Sequence, residues 1–513
     1  MKIRLSELLK SAGALDVRNF TDSDISEIVN DTRKVVPGCL FIAMSGGSFD
    51  SHDHLAQAVA AGASALVIEK DANITGISVP VINVSSSFEF TKRVASVFYD
   101  NPSRKMTMVG ITGTNGKTTT SFLVRSVLSQ KYGDCGLIGT IKYVIGADEC
   151  EAPNTSPEPL FFQGLLARMV DRSLKSCVME VSSHAIKLGR IDNTEYDYLI
   201  FTNLSQEHTE FHPDMQDYYL TKASLFINTL RAARKFKTRK KYAIINIDDD
   251  YGKNLAADLS GISPSNVFTI SQDMRTKADM VATDIVVKPG GVSFYMGHGC
   301  GGARIELPIT GAFNVYNAMA AAACGICDGL SLSEIKQGLE SVAVVPGRFQ
   351  KVDYPAAYSV IVDYAHTPEG VRNVLGLARQ LGPARVITVF GCGGDRSREK
   401  RPEMGRYASC GSDHTIITSD NPRTENPAAI IADILPGVVS GGGSYEIEPE
   451  RRKAIEKAIF MAKPGDLVMI VGKGHENYQI VGRTKQPFDD CATALEFMKI
   501  KESRSFNDSR KAE

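Results

Sequence analysis

The sequence lacks the features that place a chain in a membrane or direct it out of the cell. Its most apolar stretch, residues 318–327, is about half as long as the ~20 residues that a membrane-spanning helix needs. The opening segment, MKIRLSELLK, alternates charged and apolar side chains, so it contains no continuous apolar core of a signal peptide. We therefore expect a cytoplasmic protein with no membrane insertion.

A charge bias and a repeating cysteine frame are also missing. The 58 basic and 59 acidic residues nearly cancel, and no basic tail or patch predicts nucleic-acid binding. The ten cysteines follow no repeating pattern, which in a chain of 513 residues is typical of reduced thiols. The C-x-x-C pair Cys324 and Cys327 falls in an alanine-rich helical stretch, where packing of small residues explains it better than a redox or metal role.

What the sequence does contain is a long alternation of strand-like and helix-like segments. At ~100 to 200 residues per domain, its length predicts about three domains. We expect a small α/β domain over residues 1–100, a central domain over residues 101–345, and a C-terminal domain over residues 346–513. The apolar run at residues 65–68 predicts a buried strand of the first domain. In the last domain, apolar strands recur at residues 359–362, 385–390, 415–418 and 467–471 with helices between them, which is typical of a parallel sheet. The predicted fold class is α/β.

A glycine-rich loop opens the central domain. The apolar residues 109–111 predict a strand, residues 112–120 read TGTNGKTTT, and a helical pattern follows. Backbone N–H groups of such a loop and the helix N-terminus bind phosphate, with Lys117 on the β- and γ-phosphates and the Thr118 hydroxyl on Mg²⁺. The strict phosphate-loop pattern has glycine where Ile111 stands, so an ordinary strand-to-helix turn is the alternative.

Acidic and histidine residues follow the next apolar segments. Glu180 ends the apolar run 177–180, the position from which a parallel strand presents a metal ligand at the carboxyl edge of a sheet. His208 and His212 are four residues apart, but Thr209 stands where a zinc protease has glutamate, so the spacing alone favours an ordinary histidine pair. The nearby phosphate loop and Glu180 favour His208 as a ligand of Mg²⁺.

The order of these and further motifs resembles that of the Mur ligase family, and the resemblance spans nearly the whole chain. The motifs are GITGTNGKTTT (110–120), NTSPE (154–158), MEVSSHAIKLGR (179–190), FTNLSQEHTEFH (201–212), YYLTKASLF (218–226), GAFNVYNAMAA (311–321), VPGRFQ (345–350), VDYAHTPEG (362–370), VFGCGGDRSREKRPEMG (389–405), SDNPR (419–423) and GKGHENYQ (472–479).

The resemblance implies an architecture and a reaction. A UDP-binding domain, a central phosphate-loop ATPase domain and a C-terminal Rossmann-like domain are expected. ATP and Mg²⁺ would convert a carboxylate of the substrate to an acyl phosphate, which an incoming amine attacks. The expected substrates are UDP-N-acetylmuramoyl-L-alanyl-D-glutamate and an amino acid, in peptidoglycan biosynthesis, and we expect a monomer.

Site residues carry over from the matching motifs. The residues expected to act in catalysis are Lys117, Glu180, His208 and Lys222, of which Glu180, His208 and Lys222, the last as a carbamate, would hold metal together with Thr118. The residues expected to bind ATP are Gly113, Thr114, Asn115, Gly116, Lys117, Thr118, Thr119, Asn314, Asn317, Arg348, Asp363 and His366. The residues expected to bind the UDP-sugar are Thr32, Arg33, His52, Asn154, Thr155, Ser156, Ser182 and Arg190.

The tetrapeptide DNPR at 420–423 indicates which amino acid is added. In this family it marks meso-2,6-diaminopimelate, whose second carboxylate a guanidinium fork binds through two parallel hydrogen bonds. Lysine lacks that carboxylate and would leave Arg423 buried and unpaired. A simple turn-capping arginine is the alternative. The residues expected to bind diaminopimelate are Arg396, Asp420, Asn421, Arg423, Gly472 and Glu476, with Glu476 suited to the distal ammonium.

Three positions depart from the usual family pattern. Thr32 stands where serine is usual and Glu207 where aspartate is usual, and both keep the functional group. Leu188 occupies a place that some members fill with a polar residue near the pyrophosphate, which leaves one substrate contact open.

Other functions stay open on the sequence alone. The same ligase could add L-lysine or another diamino acid, and sister ligases add D-glutamate, or glutamate to a folate, although DNPR and GKGHE argue against the sisters. A phosphate-loop NTPase without ligase activity would lack the YAHTPEG and DNPR segments. A binding protein without activity is poorly supported, because the phosphate and metal positions all carry competent side chains.

Overall fold

The computed structural model describes residues 2–12, 16–46, 49–69, 72–207, 211–233, 240–288, 290–299 and 301–512, with side chains up to residue 504. The chain divides into two compact units. The first comprises Met1–Ser271, Thr276–Asp279 and Ala320–Ile335, and the second comprises Gln272–Arg275, Met280–Met319 and Lys336–Glu513. None of the helices in the described ranges combines the length and the apolar character that a membrane crossing requires.

The first unit begins with a small sheet of short strands, two of which are fully buried. Its elements are β1 (Ile3–Arg4), α1 (Leu5–Ala12), β2 (Asp16–Arg18), β3 (Asp24–Ile25), β4 (Glu27–Val29), β5 (Cys39–Ile42), α2 (Leu55–Ala60), β6 (Ala65–Ile68), β7 (Val81–Asn83) and α3 (Ser87–Phe98). Strands β4, β5, β6 and β7 run parallel in that order, and β2 joins β7 antiparallel. Every residue of β5 and β6 is buried and apolar, as parallel strands covered on both faces require.

A larger parallel sheet follows in the same unit. Its elements are β8 (Thr107–Thr112), α4 (Lys117–Tyr132), β9 (Gly136–Ile138), β10 (Lys142–Ile145), β11 (Asp148–Glu151), α5 (Pro159–Asp171), β12 (Ser176–Glu180), α6 (Ser183–Lys187), β13 (Tyr198–Phe201), α7 (Met215–Arg231), β14 (Tyr242–Asn246), α8 (Asp250–Ser260) and β15 (Val267–Ser271). Strands β9, β12, β8, β13, β14 and β15 are parallel neighbours in that order. The loops that follow β12, β8 and β13 therefore leave the same edge of the sheet.

The second unit contains an antiparallel meander and a second parallel sheet. Its elements, including two helices divided between the units, are β16 (Met280–Lys288), β17 (Gly291–His298), β18 (Gly301–Leu307), α9 (Phe313–Cys327), α10 (Leu332–Glu340), β19 (Gln350–Lys351), β20 (Ser359–Asp363), α11 (Pro368–Gln380), β21 (Val386–Phe390), α12 (Lys400–Gly411), β22 (His414–Ile417), α13 (Pro427–Gly441), β23 (Ser444–Ile447), α14 (Arg451–Met461), β24 (Leu467–Val471), β25 (Tyr478–Val481), β26 (Thr484–Pro487) and α15 (Asp490–Ala512). Strands β20, β24, β21, β22 and β23 are parallel in that order.

The predicted α/β fold class is confirmed, and several strands lie where the apolar runs placed them. The predicted parallel sheet of the C-terminal region is present, and its strand β24 has the predicted bounds. The alanine-rich stretch around Cys324 and Cys327 is helix α9, as predicted. The domain boundaries at residues 100 and 345 stay predictions.

Candidate functional site

The phosphate loop is held against the segment that follows β13. The Asn115 N–H donates to Asn203 Oδ1 (2.9 Å), and the Thr202 hydroxyl donates to the Asn115 carbonyl (2.7 Å). The Thr114 hydroxyl donates to the Ser205 carbonyl (3.1 Å). Because these bonds fix the loop without help from a ligand, its shape is preorganised for binding.

Lys117 is the first residue of α4 and reaches back over the loop. Its Nζ donates to the carbonyls of Gly113 (2.9 Å) and Thr114 (2.8 Å). The ammonium therefore lies at the loop, where a triphosphate would need it. The structure thus brings together the predicted phosphate-binding residues of this loop.

Gly113 has no room for a side chain. It has a φ of +148°, and an added Cβ would lie 1.9 Å from Thr202 Oγ1. We expect Gly113→Ala to destabilise the first unit by about 1–3 kcal/mol and to weaken nucleotide binding by tenfold or more, because the loop must leave its brace. Thermal unfolding and titration with ATP would measure both effects.

Gly133 at the far end of α4 provides the matched control. It also has a positive φ, +72°, but an added Cβ would meet nothing within 4 Å. Gly133→Ala should therefore lower stability slightly and leave nucleotide affinity unchanged. Equal loss of affinity in the two variants would contradict the role given to Gly113.

Glu180 ends β12 beside the phosphate loop and is 1% exposed. The Thr118 hydroxyl donates to its Oε2 (2.9 Å). The Thr140 hydroxyl donates to the same oxygen (2.9 Å), and the Thr140 N–H donates to Oε1 (2.8 Å). A buried carboxylate with two hydroxyl oxygens on it is thereby fixed next to the loop.

These oxygens are the kind of donor that Mg²⁺ prefers. Glu180 and Thr118 supply a carboxylate and a hydroxyl at one point, as the sequence predicted. Among the described residues, no three side chains of histidine, cysteine, aspartate or glutamate gather as a metal cluster. His208, the remaining predicted ligand, lies outside the described residues.

Lys222 lies in α7 and is 1% exposed. Its Nζ donates to Thr112 Oγ1 (3.2 Å) and to the Gly113 carbonyl (3.3 Å), at the base of the phosphate loop. Burial, followed by the nearby Lys117 charge, holds the pKa of Lys222 well below its ordinary value. A lowered pKa favours the neutral amine, which is the form of lysine that reacts as a nucleophile.

His212, the partner of His208 in the predicted pair, lies in the turn before α7 and not on a helix. Its ring is buried, and its Nδ1 lies 2.6 Å from Asp217 Oδ2. Asp217 also accepts from Lys187 (2.7 Å). His212 is therefore held within the protein by an ion-pair network.

The predicted UDP-sugar residues of the large sheet surround Glu180. Ser156 Oγ donates to the Glu180 carbonyl (2.9 Å) and accepts from the Ser182 N–H (3.1 Å). Thr155 Oγ1 lies 3.1 Å from Thr140 Oγ1. Asn154 is exposed nearby in sequence, with its carbonyl bonded to the Tyr143 hydroxyl.

Leu188 and Arg190 lie at the C-terminal end of the motif at residues 179–190. An Arg190 Nη2 pairs with Glu158 Oε1 (2.8 Å). Leu188 is 40% exposed, so the departure from a polar residue leaves an apolar side chain at the surface.

The predicted uridine residues lie at the carboxyl edge of the small sheet. Arg33 pairs with Asp31 through Nε (2.9 Å) and Nη2 (2.8 Å), and this hydrogen bonding lowers the pKa of Asp31 to about 2. His52 Nδ1 lies 2.7 Å from Asp50, and its Nε2 accepts from the Glu69 N–H (3.2 Å). Both segments follow parallel strands, β4 and β5, whose loops leave one edge. Thr32 is half-buried in the turn beside Arg33.

The remaining predicted ATP residues lie in the second unit. Asn317 Nδ2 donates to Asn314 Oδ1 (2.8 Å), and both side chains are buried in α9. Asp363 ends β20 and accepts from the N–H groups of residues 349 (2.6 Å) and 365 (2.8 Å). Burial raises the pKa of Asp363, and the Arg348 charge opposes that shift.

Tyr364, the residue after Asp363, is contacted by Arg348 and His366. The Arg348 guanidinium lies 4.9 Å from the centre of the Tyr364 ring, in cation–π contact. The exposed His366 has Nδ1 2.9 Å from the Tyr364 carbonyl. The structure thus gathers Arg348, Asp363 and His366 at the end of β20.

The DNPR segment follows β22 at the carboxyl edge of the second parallel sheet, beside the loop after β24. Asp420 Oδ2 lies 2.5 Å from where a Cβ on Gly472 would be, so only glycine fits there. Asn421 Nδ2 donates to Glu476 Oε2 (2.7 Å). Four of the six predicted amino-acid residues, Asp420, Asn421, Gly472 and Glu476, therefore lie together, and Arg396 is exposed in the loop after β21.

Arg423 adopts an unusual backbone conformation, with a φ of +51°. Its N–H donates to the Ile480 carbonyl (3.0 Å), and the Gly482 N–H donates to the Arg423 carbonyl (2.7 Å), so the β25–β26 hairpin holds it. Its Nη1 donates to the Gly394 carbonyl (2.6 Å). One guanidinium nitrogen is therefore anchored, and this fixes the orientation of the planar guanidinium group.

Two buried arginines of the second unit form ion pairs with carboxylates. Arg401 pairs with Glu425 (2.7 Å) and Asp433 (2.8 Å), and Arg451 pairs with Asp490 (2.7 Å). Both guanidinium groups are fully buried, so their partners offset the desolvation of the charge.

Some residues of the site carried no recognisable signal in the sequence. Thr140 binds both oxygens of Glu180, yet a lone threonine in a loop predicts nothing. Asn203 and Lys473 lie inside quoted motifs, FTNLSQEHTEFH and GKGHENYQ, but spacing gave neither a role. Their contacts appear only once the loops are placed together at the sheet edges.

A phosphate loop with a buried carboxylate beside it, and a second parallel sheet with an anchored arginine at its carboxyl edge, are features of a nucleotide-dependent ligase. Three family models match in order: the Mur ligase family catalytic domain over residues 24–103, the Mur ligase middle domain over 111–325, and the Mur ligase glutamate ligase domain over 347–474. The chain belongs to the Mur ligase family.

Relatives along nearly the whole chain have the same printed name, UDP-N-acetylmuramoyl-L-alanyl-D-glutamate--2,6-diaminopimelate ligase. The protein of that name from Gloeobacter violaceus is 44% identical over 98% of this chain and 99% of its own length. The one from Bacillus cereus is 41% identical over 92% of this chain and 94% of its own length.

Solved structures agree on the fold. A structure of a ligase with that name is 28% identical, with a TM-score of 0.67 over 98% of this chain and 100% of its own. MurF from Acinetobacter baumannii is 19% identical, with a TM-score of 0.69 over 97% of this chain and 99% of its own. The three-domain Mur ligase architecture predicted from the motifs is therefore confirmed.

Proposed function

We propose that the protein joins meso-2,6-diaminopimelate to UDP-N-acetylmuramoyl-L-alanyl-D-glutamate at the expense of ATP, in peptidoglycan biosynthesis. The observation that carries the proposal is Arg423, anchored at Gly394 and at the β25–β26 hairpin beside Glu476. The names of the relatives support the same reaction. The proposed location is the cytoplasm, and the proposed state is a monomer.

The first step would take place at the phosphate loop. A carboxylate oxygen of the sugar-peptide attacks the γ-phosphorus, the bond from that phosphorus to the β–γ bridging oxygen breaks, and ADP leaves. Lys117 and the loop N–H groups would hold the phosphates while charge moves onto the bridging oxygen. Glu180, Thr118 and the carbamate of Lys222 would hold Mg²⁺, which neutralises phosphate charge when bound.

The second step forms the amide. The amine nitrogen of the incoming amino acid attacks the acyl carbon, a tetrahedral intermediate forms, and inorganic phosphate leaves with the electron pair of the broken C–O bond. The amine loses a proton to solvent in the process. The activation is necessary because a carboxylate is a poor electrophile, whereas phosphate is a good leaving group.

Lys222 would act as a carbamate. Its neutral amine attacks CO₂, a new N–C bond forms while one C=O bond of CO₂ gives its electron pair to oxygen, and one proton leaves to solvent, so a neutral amine becomes an anion. The lowered pKa and complete burial of Lys222 support this modification. An unmodified ammonium next to magnesium would repel it.

Selectivity would come from the distal end of the amino acid. The Arg423 fork would bind the second carboxylate, and Glu476 would bind the distal ammonium. L-Lysine would leave Arg423 without a carboxylate, and a site of this kind rejects such an analogue by roughly 10⁴-fold.

An assay with a panel of amino acids tests the proposal. Purified protein with ATP and the UDP-dipeptide should release phosphate rapidly with diaminopimelate and about 10⁴ times more slowly, by kcat/KM, with lysine. Release should fall to background when either the sugar-peptide or the amino acid is left out. Equal phosphate release without the sugar-peptide would instead favour an NTPase without ligase activity, and equal rates with lysine would overturn the assignment of diaminopimelate.

A further inference from the structure

Lys473 is a fully buried lysine in the loop that follows β24. Its side chain is 0% exposed, and its Nζ donates to Glu476 Oε2 (2.8 Å) and to Asn421 Oδ1 (3.1 Å). Burying an ammonium is unfavourable unless it is paired and hydrogen-bonded. The fold keeps this charge buried beneath the residues that form the amino-acid pocket, which points to a role for it there.

The hydrogen bonds of Lys473 belong to a group of three side chains, and its Nζ also lies 5.5 Å from the centre of the Tyr478 ring. Asn421 Nδ2 also donates to Glu476 Oε2 (2.7 Å), so the lysine and the amide converge on the same carboxylate oxygen. Asn421 Oδ1 accepts from both Lys473 and the Ile480 N–H (2.9 Å). Each member is fixed by the other two, and the Glu476 carboxylate has one defined orientation.

The two carboxylate oxygens of Glu476 therefore differ in their hydrogen bonds. Oε2 is occupied by protein donors, which leaves Oε1 to accept from a ligand. Glu476 is 14% exposed, so the carboxylate reaches the surface of the pocket although its lysine partner does not. An ammonium arriving from the pocket would therefore meet an acceptor whose position is already set.

Lys473 also changes the charge that a ligand meets. Its ammonium offsets the Glu476 carboxylate, so a lone ammonium gains less from Glu476 than it would from an unpaired carboxylate. The distal end of diaminopimelate carries an ammonium and a carboxylate, and Arg423 provides the binding group for the carboxylate. A pocket with these charges favours a zwitterionic distal end over a purely cationic one.

We propose that Lys473 is a positioning and specificity-determining residue: it fixes Glu476 and offsets its charge, so that the pocket selects a diamino acid with a second carboxylate over lysine. This inference rests on the proposed function, because it concerns the amino acid added in that reaction. Lys473 acts through Glu476 and Asn421 and touches no substrate itself.

Lys473→Met tests the proposal through the split between kinetic constants. We expect KM for diaminopimelate to rise about 10- to 100-fold, as loss of one charge-assisted hydrogen bond implies, while KM for ATP stays the same. The ratio of kcat/KM for diaminopimelate to that for lysine should fall at least tenfold. A merely structural role would lower the amount of folded enzyme and leave this ratio unchanged.

Lys485→Met is the matched control. Lys485 lies on the neighbouring hairpin strand β26, is exposed, and stacks over the Tyr478 ring at 3.8 Å. The same chemical change there should leave KM for both amino acids unchanged. Loss of selectivity in this variant would show that any damage to the hairpin has the effect assigned to Lys473.

A double-mutant cycle shows whether Lys473 acts through Glu476. Glu476→Gln alone should raise KM for diaminopimelate, and adding Lys473→Met to it should raise KM by no more than about threefold, because the positioned group is already lost. Independent, multiplying effects of the two changes would overturn the proposal.

Lys473→Gln keeps the test decisive if Lys473→Met does not fold. Glutamine keeps a donor near Glu476 but removes the charge, so the selectivity ratio should again fall. An unchanged ratio in a folded Lys473→Gln protein would overturn the proposal. Failure of the proposed function is seen separately, since the wild-type protein would then show no release of phosphate that depends on diaminopimelate.

Discussion

Replacing Lys222 with methionine should lower the ligation rate by about 10³-fold or more while ATP still binds. Methionine fills a similar volume but cannot take up CO₂, so the site loses an anionic ligand and the charge stabilisation that depends on it. The amine lies at the base of the phosphate loop, within 3.3 Å of the Gly113 carbonyl, so the loss falls on phosphoryl transfer. Rates of phosphate release and a separate ATP titration would distinguish chemistry from binding.

Lys241 offers a matched control for that experiment. It is a second buried lysine of the first unit, 4% exposed, and it donates to the carbonyls of Thr229 (3.1 Å) and Ala232 (3.2 Å). Lys241→Met should lower stability and leave turnover per folded molecule unchanged. Incubation with isotopically labelled bicarbonate should label the wild type but not Lys222→Met. Full activity of Lys222→Met would remove the carbamate from the proposed mechanism.

Arg423→Ala should lower kcat/KM for diaminopimelate by about 100- to 1,000-fold, with KM for ATP unchanged. In the proposed complex the guanidinium would donate two charge-assisted hydrogen bonds to the second carboxylate, and alanine would donate none. The matched control is Arg483→Ala, which removes an exposed arginine from the tip of the β25–β26 hairpin. Activity with lysine should change little in Arg423→Ala, so an equal loss with both amino acids would indicate a folding role for Arg423.

Much of the fold could be read from the sequence because buried parallel strands are continuous apolar runs. Strands β6 and β24 have the bounds that their apolar residues predicted, and Glu180 ends its strand as expected. The alternation of such runs with helical segments was sufficient to predict parallel sheets. The ends of strands β20, β21 and β22 differ from the predicted runs by one residue.

The site was less completely predictable, since contacts between loops depend on the order of strands in the sheet. Gly472, Asp420 and Asp363 are far apart in sequence and meet at one edge because β24 lies between β20 and β21. No local pattern states that order. For the same reason the role of Thr140 was not predicted, because its hydrogen bonds to Glu180 arise from the pairing of β9 with β12.

The conformation of Arg423 depends on the β25–β26 hairpin, so the two form one structural unit. The main chain of that arginine is bonded on both sides to residues 480 and 482, and Asn421 is bonded to the same strand. Grafting a different tetrapeptide alone would place its new side chain on a backbone shaped for arginine. An engineer seeking to add a different amino acid would therefore need to transplant residues 420–423 together with residues 473–487.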